Sequence, residues 1–274
     1  MNKKLIIVIV VITGLVALLA SIFGRKQNGN TVFISGTIEA TETRMAFQVG
    51  GKIKELLKNE GDTARAGELV AQLNKEEFLS LKSQAESALQ EAQLNSDRLK
   101  ADYERAERLI QSGGFTVQQR DTLKANYQMS QARLATLQSG LDLAVLKLGY
   151  TDLVAPIDGF ITVKSAQIGE IVQPGSAVYT ISDLRNLWVT GYIKETDLGR
   201  VKLNQKARIK TDSYPDKSYD GYVSFISPES EFTPKQIQTR EERINRVYRV
   251  KISVDNAGQE LKSGMPADVY LAIE

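Results

Sequence analysis

Apolar positions along this chain follow several rhythms, and each rhythm predicts a different element. LIIVIVVITGLVALLASIFG, from Leu5 to Gly24, carries no charge and has about the ~20 residues that cross a bilayer as a helix. TVFISGTIEA, from Thr31 to Ala40, reads as one strand. Residues 75 to 149 read as helix, turn, helix. In the first arm Phe78, Leu81, Ala85, Ala88, Ala92, Leu99, Ala106 and Leu109 fall on alternating three- and four-residue steps, with Asn95 and Asp102 interrupting the seam. In the second arm Leu123, Tyr127, Ser130, Leu134, Leu137, Leu141, Ala144 and Leu148 keep the same rhythm. Ser112-Gly113-Gly114-Phe115 breaks the pattern between them, where Gly is a common helix stop.

The predicted helix starts agree with this division. Asn74 with Glu77 forms a capping-box pattern flanked by Leu73 and Phe78, and Thr116 with Gln119 forms a second box after the turn. At ~1.5 Å per residue each arm reaches on the order of 50 Å from its base. So narrow a stripe buries too little apolar surface for a globular core, so the reading is an antiparallel coiled-coil hairpin acting as a probe or spacer.

Either side of the hairpin stands one copy of a repeat. AFQVGGKIKELLKNEGDTARAGELVAQL, beginning at Ala46, aligns without a gap on VAPIDGFITVKSAQIGEIVQPGSAVYTI, beginning at Val154. Gly51, Gly61 and Gly67 fall on Gly159, Gly169 and Gly175, while Ile53, Asp62, Val70 and Leu73 fall on Ile161, Glu170, Val178 and Ile181. The shared glycine spacing predicts the same tight turns in both copies, with all six glycines as structural turn residues, because Gly reaches positive φ without steric cost.

Beyond Ser182 the β-favouring runs shorten. LWVTGYI from Leu187, ARIK from Ala207, GYVSFI from Gly221, RVYRVKISV from Arg246 and ADVYLAI from Ala267 are separated by Tyr214-Pro215-Asp216, Ser227-Pro228 and Ser263-Gly264-Met265-Pro266. They predict a small antiparallel barrel, to which Thr31 to Ala40 adds a strand.

Composition narrows the chemistry. The 274 residues hold 35 Lys and Arg against 33 Asp and Glu, a balance that argues against a dedicated nucleic-acid binder. With no cysteine and no histidine, thiolate or imidazole metal ligation, cysteine nucleophiles and Ser-His-Asp catalysis are excluded. Carboxylate and lysine chemistry stay open, and no cofactor is implied. Lys3 and Lys4 before the apolar run favour a cytoplasmic N-terminus, although Arg25 and Lys26 on the far side blur the count. The run reads as a retained anchor. A cleaved signal peptide is the rival reading, whose apolar region is typically ~7–15 residues. Arg240, Glu241, Glu242 and Arg243, within EFTPKQIQTREERINRVYRVKI, read as a solvated loop or short helix, with a partner contact as the alternative.

The paired half-repeats, the intervening hairpin, NLWVTGYIKETDLGRV and the closing LKSGMPADVYLAI together resemble the periplasmic adaptors, or membrane fusion proteins, of the HlyD type. That resemblance implies an α+β fold, mainly β: a split biotinyl/lipoyl-like domain carrying a long α-helical coiled-coil hairpin, a small antiparallel β-barrel, and an N-terminal transmembrane helix. The divisions are a cytoplasmic stub and anchor at 1–24, a linker and barrel strand at 25–40, lipoyl-like halves at 41–74 and 150–182, the hairpin at 75–149 and the barrel at 183–274. True carrier domains present a modified lysine at the turn joining the halves. Here the hairpin replaces that turn, so the domain reads as a scaffold.

The resemblance further implies a non-enzymatic subunit, single-pass in the inner membrane with its bulk in the periplasm. Such a subunit joins an inner-membrane transporter to an outer-membrane channel and self-associates as a ring. The Phe-Thr-Pro stretch from Phe232 is similar to adaptors of ABC-type exporters; an MFS-type pump and a non-transport envelope tether are the alternatives. The family's channel-docking pattern, Arg, a Leu four later and a Ser seven beyond, falls on Arg105, Leu109 and Thr116, with Thr for Ser. Read from the residues alone, Arg105 is an exposed helix charge, Leu109 a seam residue and Thr116 an N-cap. Asn204 stands where the family usually has Gly, which leaves that turn's conformation open.

Overall fold

The computed structural model describes residues 31–232 and 246–272. The apolar run Leu5–Gly24 and the charged group Arg240 to Arg243 lie outside the described residues. Among the described residues no helix is long and apolar enough to cross a membrane. The chain divides into two compact units, residues 42–183 and, from both sides of that segment, residues up to 41 together with 184 onward. The boundary falls inside two long strands, β1 (Thr31–Ala46) and β8 (Ala177–Lys194). Each was expected to be shorter. Their polar stretches, Thr41 to Arg44 and Asp183 to Asn186, continue the extended backbone instead of breaking it.

The first unit contains the repeat and the hairpin. Its strands are the end of β1, β2 (Gly51–Leu56), β3 (Thr63–Ala64), β4 (Leu69–Leu73), β5 (Asp152–Val154), β6 (Gly159–Lys164), β7 (Ile171–Val172) and the start of β8. The two halves exchange partners: β2 pairs with β7, and β3 pairs with β6. The exchange repeats at the level of single atoms. Gly61 N–H donates to the Ile161 carbonyl at 2.8 Å, and its counterpart Gly169 N–H donates to Ile53 at 2.9 Å. Ile161 N–H donates to Asp62, and Ile53 N–H to Glu170, at 2.9 and 2.8 Å. Each half thus satisfies backbone groups that the other would leave bare, so neither half is complete alone. Between them lies a core of Phe47, Ile53, Val70, Leu73, Ile161, Val178, Tyr179 and Ile181, each at most 2 % exposed. Buried Tyr179 still donates its hydroxyl to the Lys58 carbonyl at 2.8 Å.

The repeat glycines divide into two kinds. Gly61, Gly67, Gly169 and Gly175 lie at φ of 82 to 90°, in the left-handed region. Gly51 and Gly159 differ from the expectation. They are not among the positive-φ residues and begin β2 and β6, where the constraint is space. A Cβ at Gly159 would stand 2.5 Å from the Ser182 carbonyl oxygen, and one at Gly51 3.2 Å from Leu73 Cδ1.

The second unit is a barrel. β1 pairs with β12 (Pro266–Ala272), β12 with β9 (Lys206–Lys210), β9 with β10 (Tyr219–Phe232), β10 with β11 (Arg246–Asp255) and β11 with β8. A β1–β8 pairing closes the ring, which removes free edges. Alternate residues Val32 and Ile34, Val189 and Ile193, Ile209, Ile252 and Val254, and Val269 and Leu271 fill the interior. The closing seam depends on small residues. A Cβ at Gly36 would strike the Thr190 carbonyl, and one at Gly191 would strike Ile34. Buried Asn256 pins the far end of the barrel: its amide donates to the Leu184 and Leu261 carbonyls at 2.7 and 3.1 Å, while its oxygen accepts from Leu261 N–H at 3.0 Å. Asn204 sits at φ 64°. Asn is among the few L-residues that tolerate this conformation, so the turn survives the exchange for Gly.

Barrel stability carries an alkaline signature. Burial, and then a hydrogen bond to Glu260 at 2.9 Å, push the Tyr219 phenol up to about 12 from 10.0. A raised folded-state value favours the protonated phenol, so its contribution is complete below pH 10 and is lost as pH climbs through about 12. Denaturant midpoints should therefore fall between pH 9 and pH 12, and Tyr219→Phe should flatten that decline. An equal decline in the variant would remove Tyr219 as its source.

Candidate functional site

The hairpin is built from α1 (Glu76–Leu109) and α2 (Val117–Gly149), joined by a 3₁₀ turn at Ile110–Ser112. Its base is fixed to the sandwich where the chain leaves and returns. Lys75 Nζ pairs with Asp152 at 2.8 Å, Gln72 donates to the same carboxylate at 2.8 Å, and Leu73 N–H donates to the Thr151 carbonyl at 2.9 Å. The Asn74–Glu77 capping box does not form. Asn74 N–H is already donated to the Lys52 carbonyl, so Glu77 has no free donor to reach back to; Asn74 Oδ1 instead accepts from Glu76 N–H at 2.9 Å.

Between the arms, α2 presents the expected stripe: Leu123, Tyr127, Ser130, Leu134, Leu137, Leu141, Ala144 and Leu148 are all buried or half-buried. In α1 the expected Phe78, Ala85, Ala88, Ala92, Leu99 and Ala106 are buried or half-buried, but Leu81, Asn95 and Leu109 are exposed and Lys82, Ser96 and Ile110, one residue later, are covered instead, with Leu89 and Tyr103 covered beside Ala88 and Asp102. Asn95 is exposed and accepts from Arg98, while Ser96 is buried against Ser130 with their hydroxyls 3.0 Å apart. Leu81 and Leu109, both expected in the seam, are 43 % and 41 % exposed.

The shift changes how the tip is read. Leu109 lies off the seam, and Ile110 takes its place inside. Arg105, four residues earlier on the same helix face, extends into solvent and is braced by Asp102 Oδ1 at 3.1 Å. The turn closes by Gly114 N–H donating to the Leu109 carbonyl at 3.0 Å, and by Gly113 adopting φ 79°. Thr116 caps α2 with both bonds of the box: its hydroxyl accepts from Gln119 N–H at 3.2 Å, and its own N–H donates to Gln119 Oε1 at 2.9 Å. The Thr116 hydroxyl proton remains available to donate outward. The tip therefore offers a cation, an apolar side chain and a hydroxyl on a short, hydrogen-bonded turn.

Below it lies a layer of which the periodicity flagged only Tyr127. Tyr103 and Tyr127 stack across the arms with ring centres 6.3 Å apart and planes 15° from parallel. A hydrogen bond to Glu107, followed by burial, holds the Tyr103 phenol above its ordinary value. Aromatic residues at facing seam positions were the available signal, hidden by the one-residue error in α1. Thr116→Ala should cost about 1 kcal/mol at the α2 terminus, read as faster amide hydrogen exchange at Gln118 to Arg120. Thr116→Ser should exchange like the parent; unchanged rates in the alanine variant would mean the cap is dispensable.

Among the described residues, no group of three or more Asp or Glu side chains could hold a metal ion. Comparisons with known proteins address the whole chain. Residues 41–183 match the family described as the CzcB-like barrel-sandwich hybrid domain, and residues 187–271 the YknX-like beta-barrel domain. A UPF0194 membrane protein of Yersinia enterocolitica is 30 % identical, with 98 % of each chain covered. Another from Enterobacter sp. strain 638 is 29 % identical over 95 % of this chain and 96 % of its own. The membrane fusion protein Spr0693 of Streptococcus pneumoniae R6 shares the fold with a TM-score of 0.71 at 20 % identity, covering 89 % of this chain and 99 % of its own. MacA of Actinobacillus actinomycetemcomitans follows at 0.67 and 22 %, covering 89 % and 79 %. The match over residues 41–183, a sandwich split by a helical hairpin, places the chain in the family of the CzcB-like barrel-sandwich hybrid domain, with the UPF0194 membrane proteins as relatives over nearly its full length.

Proposed function

We propose that this protein is the non-enzymatic adaptor of a tripartite efflux or secretion system, anchored in the inner membrane through Leu5–Gly24. In this reading it links an exporter to an outer-membrane channel. The observation that carries the proposal is the tip: Arg105 and Leu109 project from one face of α1, outside the seam, beside the Thr116 cap. A simple spacer has no need to hold an apolar side chain 41 % exposed on a rigid turn. Names of the relatives as membrane proteins support the anchor.

The partner exporter is of the ABC type in this proposal, on the similarity of the Phe-Thr-Pro stretch to adaptors of such exporters; an MFS-type pump is the alternative. Copies pack side by side as a ring of coiled-coil hairpins, supported by the off-seam Leu94 and Met129, which are 65 % and 63 % exposed. Repetition around a closed ring would cover such surfaces without leaving an open end. The test is a photoreactive residue at Phe115 in living cells, with captured proteins identified by mass spectrometry. Capture of an outer-membrane channel is the expected result. Capture of this chain alone, or of peptidoglycan-associated proteins, would replace the proposal with a structural tether.

A further inference from the structure

We infer that the end of the barrel where β1 begins is a lipid-docking surface, resting on an anionic bilayer with Leu203 inserted and Lys202 and Lys206 against lipid phosphates. The inference depends on the anchor reading of Leu5–Gly24, and not on what the hairpin tip binds.

The first support is reach. Six residues separate Gly24 from Thr31, the first residue of β1. The seven steps from Gly24 to Thr31 span at most about 25 Å when fully extended, so Thr31 cannot lie far from the surface from which the anchor emerges. Thr31 is opposite Ala272 in the β1–β12 ladder, and Gln205 Nε2 donates to the Ala272 carbonyl at 2.7 Å. The loop from Gly199 to Lys206 is therefore bound to the same end of the barrel as the strand leading to the anchor.

The second support is the chemistry of that loop. Its eight residues include Arg200, Lys202 and Lys206 and no acidic residue; Arg200 is engaged with Asp197 at 3.3 Å. Between the two lysines Leu203 is 60 % exposed. The turn that holds it outward is rigid: Lys202 N–H donates to Gln205 Oε1 at 2.8 Å, Asn204 N–H to the Val223 carbonyl at 2.8 Å, and Val223 N–H to the Gln205 carbonyl at 2.9 Å. The left-handed Asn204 completes the turn. Beside it an open groove of about 600 Å³ is lined by Lys202, Leu203, Asn204, Gln205 and Lys206.

The third support is aromatic. Phe33, two residues into β1, points outward at 56 % exposure and packs on Tyr270, with ring centres 5.5 Å apart. Arg208 is opposite Tyr270 on the next strand and is exposed. Aromatic rings with one wet edge, next to basic side chains, suit the headgroup layer. Basic residues near an anionic leaflet gain affinity additively and lose it in salt.

Since the chain has no cysteine, Leu203→Cys in the full-length protein can carry one environment-sensitive fluorophore. The protein is reconstituted into vesicles of phosphatidylcholine alone or with phosphatidylglycerol, some containing a headgroup-attached quencher. Co-flotation with the vesicles is measured on the same samples. Blue-shifted, quenchable emission in the anionic vesicles is expected, weakening in high salt. Lys202→Gln and Lys206→Gln should each reduce the ratio of docked to undocked probe by roughly five-fold. Protein that floats but shows no quenching would overturn the docking and assign the loop to a protein partner. Protein that fails to float would overturn the anchor reading, and this inference with it.

Discussion

Arg105→Asp should abolish capture of the outer-membrane channel from a photoreactive Phe115 while leaving the hairpin folded. The guanidinium is exposed and pairs with Asp102 at 3.1 Å, an i,i+3 surface pair. Exposed pairs of that kind contribute about 0–1 kcal/mol, so loss of the pair, even with the new repulsion from Asp102, leaves helix content and thermal midpoint near those of the parent. Docking would suffer far more. Arginines at interface centres commonly cost about 2 kcal/mol or more when removed, roughly thirty-fold in affinity, and charge reversal adds repulsion to loss. Leu109→Ala should weaken capture with equally little effect on folding, because its side chain lies off the seam. If Arg105→Asp captures the channel as well as the parent does, Arg105 is an ordinary helix charge.

The second large effect concerns two glycines that the repeat makes equivalent. Gly159→Ala should destabilise the sandwich unit by about 3 kcal/mol, whereas Gly51→Ala should cost about 1 kcal/mol or less. At Gly159 the new methyl would meet the Ser182 carbonyl oxygen at 2.5 Å and Ile181 Cγ1 at 2.9 Å. A backbone oxygen within a paired strand cannot withdraw without breaking the β6–β8 ladder, in which Phe160 is opposite Ser182. At Gly51 the nearest atom is Leu73 Cδ1 at 3.2 Å, the far end of a side chain that can move by a few tenths of an ångström. Denaturant unfolding of the two variants measures the difference directly. Equal losses would show that the shared sequence position, rather than local space, governs these sites.

The hairpin shows why part of the site was legible and part was not. Leu81 and Leu109 drew the expected α1 stripe toward positions that the structure leaves exposed, while Lys82, Ser96 and Tyr103 face the partner arm. The two candidate stripes share Phe78, Ala85, Ala92, Leu99 and Ala106, and where they differ each has three apolar members, so composition does not separate them. Only the opposite helix chooses between them, here through the paired hydroxyls of Ser96 and Ser130 and the stacked rings of Tyr103 and Tyr127. A similar competition decided the helix starts. Thr116 follows a turn in which its N–H has no other acceptor, so its box forms, whereas Asn74 ends a strand whose ladder has already taken the donor.

The residue pattern by itself determined the order of parts, the duplicated half-domain, the two-helix insertion and the barrel strands, because turns, helical periods and strand alternation are properties of neighbours along the chain. It also placed Arg105, Leu109 and Thr116 around one turn, since a break between two helices is written in local residues. Tertiary structure alone decided that the halves exchange strands and hydrogen bonds, that Gly51 and Gly159 answer to space while Gly61 and Gly169 answer to φ, and that Leu109 faces outward. These depend on which surface arrives opposite each residue. That surface is brought there by residues about a hundred positions away, through packing and hydrogen-bond saturation that no local window contains.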